Sequence, residues 1–238
     1  MLRVTTSWDD GDILDARVAE LLDRYHLKGT FYIPRDYWGE RISDSMIQKL
    51  GTRHEIGAHT LTHVDLKTIT LDEAHDEIAG SKRWLEGLSI ESSMFCYPRG
   101  RYTQAVRDIV ATSGFKGART TKMFSTAAVS DPFQIETTIQ VYPFPFRPGA
   151  GLRASIEPLR DRVYGFRAID SSFSSLRSWE AATCSAFDAA LHKGGTFHIW
   201  GHSWEIEKYN MWRPLEDVFR YVANRAECTY VTNGELVV

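Results

Sequence analysis

Cysteine is scarce in this chain. Cys96, Cys184 and Cys228 are far apart and odd in number, which excludes a disulfide framework and a CxxC metal site. Long apolar runs are missing too, since nothing approaches the about 18 uninterrupted residues of a membrane span. The opening MLRVTTSWDD turns acidic before a signal-peptide core develops, so a cytoplasmic protein away from membranes is expected. Charge of one sign is also lacking. The 28 Lys and Arg against 31 Asp and Glu give a net −3 without long runs of either sign, so nucleic acid is not an expected partner. There is no internal repeat or low-complexity tract. What is present is core material: of 238 residues, 43% are hydrophobic and 12% aromatic. We expect a single domain over residues 1–238, because α/β barrels commonly run to about 200–250 residues as one unit.

The elements alternate. LRVTTSW reads as a strand, and Leu14, Val18, Leu21, Leu22 and Tyr25 follow at helical spacing with Asp12 as N-cap. KGTFYIP, residues 43 to 53, HEIGAHT and a helix opened by the capping box Thr70-Leu71-Asp72-Glu73 continue the series. SSMFCYP, Thr103 to Phe115 and KGARTT extend it. Residues 138 to 154, rich in proline and aromatics, read as a long loop. A helix near 178 to 192, the strand GGTFHIWGH, a helix near 213 to 225 and the strand CTYVTNGELVV close the chain. Such alternation predicts parallel strands with crossover helices, either a barrel or an open sheet.

In these architectures functional side chains gather where strands end. Four polar groups lie there: Asp9-Asp10, His59 with His63, YPRG (97 to 100) and His202. Adjacent aspartates at a strand end face different ways, so one can hold a metal while the other faces water; the alternative is a helix cap. HTLTH puts two imidazoles at i and i+4, on one side of the chain if the backbone is helical; the alternative is a packed histidine pair. One carboxylate and two imidazoles make a three-ligand set of the catalytic zinc type, with a position open to water.

The order SWDDG, HTLTH, FCYPRG and a late strand ending in histidine resembles the polysaccharide deacetylases with a NodB homology domain, carbohydrate esterase family 4. Their first motif usually reads TFDDG, and HTLTH satisfies their second, H-[ST]-x-x-H. The resemblance implies a distorted (β/α) barrel of seven or eight strands. It also implies one divalent ion per chain, zinc, held by Asp10, His59 and His63, with Asp9 as general base. The Arg99 amide in YPRG would face the oxyanion, and a late-strand histidine would act as acid. His202 is the preferred acid because it follows Gly201 at the strand end; His198, of the same parity, is the alternative. Tyr97, Trp200, Trp204 and Arg147 are candidates for substrate contact, and Arg147 and Arg153 among aromatics suit an anionic group.

Two departures stand out. Cys96 occupies the place where the family carries an arginine that orients the base, with Arg99 as a candidate substitute. The acid-tuning DxxDW motif is not evident, and Asp170 is a stand-in. The expected function is removal of an N-acetyl group from an amino sugar or its oligo- or polysaccharide, so the partner is a carbohydrate or a small molecule. The alternatives are hydrolysis of a cyclic imide, ureide or O-acetyl ester on the same fold, and carbohydrate binding without catalysis.

Overall fold

The computed structural model describes residues 1–36, 38–145, 162–169, 172 and 175–237. Among them eight strands form one parallel sheet. These are β1 (Leu2–Asp9), β2 (Gly29–Ile33), β3 (Glu55–Ala58), β4 (Met94–Cys96), β5 (Gly117–Arg119), β6 (Ile139–Gln140), β7 (Gly195–Gly201) and β8 (Cys228–Tyr230). The order is β5-β4-β3-β2-β1-β7-β6, and β8 pairs with the first half of β1 where β2 has diverged. Residues 132–141 complete the curl. Ala118 of β5 donates its amide to the Pro132 carbonyl and accepts from the Ile135 amide, and the Thr138 amide reaches the His198 carbonyl on β7. The arrangement is the expected distorted (β/α) barrel.

The crossover helices are α1 (Asp15–Arg24), α2 (Asp44–Gly51), α3 (Leu71–Gly87), α4 (Gln104–Thr112) and α5 (Trp179–Lys193), followed by α6 (Ser203–Lys208) and α7 (Trp212–Val222). Local sequence explains their starts. Ser43, Thr103 and Ser178 each accept an amide bond from the first turn, and Thr70 with Glu73 forms the full capping box. Asp12 departs from expectation. Leu14 occupies the N-cap of α1, and the Asp12 carboxylate takes the Leu14 amide instead, because the chain is still turning after Gly11. Of the loop expected over 138 to 154, residues 139–140 form β6, and 146–154 lie outside the described residues.

Two apolar layers result. The larger lies between sheet and helices, around Trp8, Phe31, Phe95, Phe187 and Phe219. The smaller, around Tyr32, Met94, Cys96 and Ile135, fills the barrel interior. Polar residues of β1 share that interior at alternate positions, as the pleat requires. Thr5 donates to Asn233, Ser7 donates to His198, and Asp9 pairs with Arg119. No helix among the described residues is long and apolar enough to cross a membrane.

Candidate metal centre and catalytic cleft

A cleft of about 490 Å³ opens at the C-terminal ends of the strands, lined by Asp9, Asp10, His59, His63, Arg99 and His202 with Trp38, Trp200 and Trp204. Its first wall comes from the end of β1. Asp10 and Gly11 adopt φ of 81° and 65°, a left-handed pair that swings Asp10 away from Asp9. Only glycine fits the second position, because a Cβ there would lie 2.6 Å from Ile33 Cγ2.

HTLTH is not helical. Thr60 and His63 take φ of 66° and 56°, and the loop folds back so that the imidazole centroids lie 4.7 Å apart. The i, i+4 spacing thus brings the rings together through a left-handed loop. The loop is held from outside: Glu77 of α3 accepts from the Leu61 and Thr62 amides and the Thr62 hydroxyl. Nothing in the sequence near HTLTH signals Glu77.

The two rings converge on Asp10. His63 Nε2 is 3.4 Å and His59 Nε2 3.9 Å from Asp10 Oδ1, which is buried and has no hydrogen-bond partner. His59 Nδ1 lies 2.8 Å from the Cys96 carbonyl. A carbonyl only accepts, so Nδ1 carries the proton and Nε2 keeps its lone pair for a ligand. Burial, then repulsion from His63, pulls His59 down to about 4, so the ring is neutral as a metal ligand requires. Asp9, His59 and Cys96 form a second cluster of similar size. Its chemistry suits a cation less: burial raises the Cys96 thiol well above its ordinary value, and Asp9 is taken by Arg119.

That pairing resolves the missing arginine. Arg119 closes β5 directly beside Cys96 of β4, and its guanidinium, fully buried, bonds Asp9. The charge lost from one strand is supplied by the next, not by Arg99. Arg99 instead lines the cleft at φ 57°, in a YPRG turn whose next residue must be glycine because a Cβ at Gly100 would collide with Thr121. Burial alone would push Asp9 up, but Arg119, His59 and His202 outweigh it and hold the carboxyl below its ordinary value. Sequence reasoning missed Arg119, although a charged residue closing the strand KGAR was the available signal.

The two late histidines differ in kind. His198 is enclosed, with Nε2 2.8 Å from the Ser7 hydroxyl and Nδ1 3.2 Å from the Glu136 carbonyl; burial, then Arg119, drives it down to about 3. His202 lines the cleft with Nδ1 2.7 Å from Glu205. Burial lowers its pKa, but the Glu205 bond and the charges of Asp10 and Asp9 raise it to about 9. Glu205 was missed in the sequence, though its i+3 spacing on a helix start made the contact legible.

Among the other expected contacts, Trp200 and Trp204 line the cleft, whereas Tyr97 does not. Its ring is buried, stacked on Tyr102 at 4.2 Å, because β4 turns it to the helix side. Trp38, 70% exposed, stands at the rim. Arg147, Arg153 and Asp170 lie outside the described residues.

The fold and site together define a (β/α) barrel with a buried carboxylate and two imidazoles at its strand ends. Residues 3–118 match the polysaccharide deacetylase family. Solved structures share the fold. A family 4 acetyl xylan esterase from Clostridium thermocellum, in complex with a cobalt ion, is 16% identical with a TM-score of 0.59, covering 98% of this chain and 89% of that one. A chitin deacetylase from Colletotrichum lindemuthianum is 12% identical with a TM-score of 0.58, covering 99% and 90%. A Streptococcus pyogenes deacetylase in complex with acetate is 21% identical with a TM-score of 0.52; the match covers 56% of this chain and 62% of that one.

Proposed function

We propose that this protein is a metal-dependent hydrolase that removes an acetyl group from the nitrogen of an amino sugar, free or within an oligo- or polysaccharide. The observation that carries the reading is Asp10 Oδ1, buried without a hydrogen-bond partner and facing the Nε2 atoms of His59 and His63. A buried anionic oxygen in that state costs free energy unless a cation meets it. Asp10, His59 and His63 would hold the ion, and one carboxylate with two imidazoles suits zinc. Bound there, the ion supplies Lewis-acid polarisation of the acyl carbonyl and acidifies water.

The remaining steps belong to side chains. Asp9, kept ionised by Arg119, takes a proton from the attacking water. Arg119 also fixes the carboxylate's orientation. The Arg99 amide supplies a donor to the developing oxyanion. His202, kept as imidazolium by Glu205, protonates the nitrogen as the C–N bond breaks, so acetate and a free amine leave. A binding-only module has no use for these two ion pairs. Trp38 and Trp200 offer apolar faces suited to a sugar ring.

The test is acetate release from N-acetylated sugars and oligosaccharides, run beside O-acetyl esters and cyclic imides. Turnover on the N-acetyl substrates should stop with a chelator and return with a divalent ion. Turnover unaffected by the chelator, or confined to esters or imides, would overturn the reading.

A further inference from the structure

We infer that Trp204 is a positioning residue for the metal centre, its indole N–H fixing which oxygen of Asp10 is presented to the cation. The inference rests on the reading of Asp10, His59 and His63 as ligands. The indole Nε1 donates to Asp10 Oδ2 at 3.0 Å, while Oδ1 is left without a hydrogen-bond partner on the side of the two imidazoles. An aspartate's terminal torsion is broad and roughly two-fold, so an unrestrained carboxylate exchanges its oxygens or offers both. One donor anchored on Oδ2 removes that freedom and leaves Oδ1 as the ligand.

Indole suits this task because it donates and cannot accept. It therefore holds the carboxylate without competing for the cation. The ring itself is held in place: it packs edge-on against Trp38 at 5.7 Å and tilted against His202 at 5.5 Å. The residue before it, Ser203, is buried and donates to buried Asp15 at the start of α1. Both ends of the indole–carboxylate bond are thus tied to the turn that follows β1. Within HSWE, His202 pairs with Glu205, Ser203 bonds Asp15 and Trp204 bonds Asp10, whose Oδ2 also lies 3.9 Å from His202 Nε2. The indole, expected at the substrate, lines the cleft and turns its polar edge to Asp10.

The experiment is Zn²⁺ affinity of the folded protein, by competition with a chromophoric chelator, together with the Co²⁺ absorption spectrum. Trp204→Phe should bind about 10- to 100-fold more weakly, the range found when a donor supporting a metal ligand is removed, and its Co²⁺ spectrum should change. Replacing Trp204 with β-(3-benzothienyl)alanine keeps the shape of indole but puts sulfur in place of N–H, so it should give the same loss without disturbing packing. His63→Ala is the control for the site itself and should lose the metal. Unchanged affinity and spectrum in the benzothienyl protein, with metal lost from His63→Ala, would overturn the role of Trp204 alone. Undiminished binding by His63→Ala would overturn the ligand assignment and this inference with it.

Discussion

The floor and the mouth of the barrel are both polar, and they treat their polar groups differently. At the floor, Asn233 accepts from Thr5, donates its side-chain amide to the Tyr32 hydroxyl and its backbone amide to Thr30. Glu55 accepts from Thr30 and from the Gly234 amide. Each of these donors meets an acceptor, so the network fastens the segment after β8 across the barrel. At the mouth, Asp10 Oδ1 has no such partner, while Asp9 and His202 are each clamped by an opposite charge. A satisfied buried network gives rigidity, whereas an unsatisfied atom among oriented neighbours is a place prepared for a ligand.

The contrast can be broken from either end. Asp9→Asn should keep the metal and lose about 10²- to 10⁴-fold in turnover, the usual worth of a positioned general base; steady-state kinetics beside metal content checks it, and full activity would remove Asp9 from the role. Arg119→Met should cost about 3–5 kcal/mol, because Asp9 is left as an uncompensated buried charge. Denaturant titration reads that loss, and the surviving activity should demand higher pH as burial drives the Asp9 carboxyl up.

Asn233→Ala strikes the floor. Stranding the Thr5 and Tyr32 hydroxyls should cost about 1–3 kcal/mol, while metal affinity stays as in the wild type. A change in metal binding would show that floor and mouth are not separable.

Glu205→Gln has the smallest effect. His202 titrates at about 9 in the intact pair, so activity that needs the imidazolium falls as pH rises through that value. Without the carboxylate the alkaline limb should move down toward the ordinary imidazole value of about 6.5. The sign for stability agrees: a raised folded pKa stabilises fully below about 6.5 and loses that contribution as pH climbs through about 9. An alkaline limb that stays in place would detach Glu205 from His202.

Much of this was legible from the chain alone. The strand and helix alternation, the capping box at Thr70 and the grouping of Asp9, Asp10, His59 and His63 follow from local pattern, because a helix start or a strand end is set by residues adjacent in sequence. His202 could be preferred over His198 from its place after Gly201. Other contacts were not legible. HTLTH carries its spacing openly but not its left-handed loop, which depends on Glu77 fifteen or sixteen residues further on.

Sequence by itself determined the alternation of parallel strands and crossover helices and the residue types at the strand ends, while a barrel followed only from the resemblance its motifs carry. Tertiary structure decided which groups support them. Arg119 answers Asp9 because β4 and β5 pair with Cys96 beside Arg119, and Trp204 reaches Asp10 across 194 residues because β7 lies against β1. The register between parallel strands joined by crossover helices is fixed by the packing of the whole barrel, so no local pattern announces it.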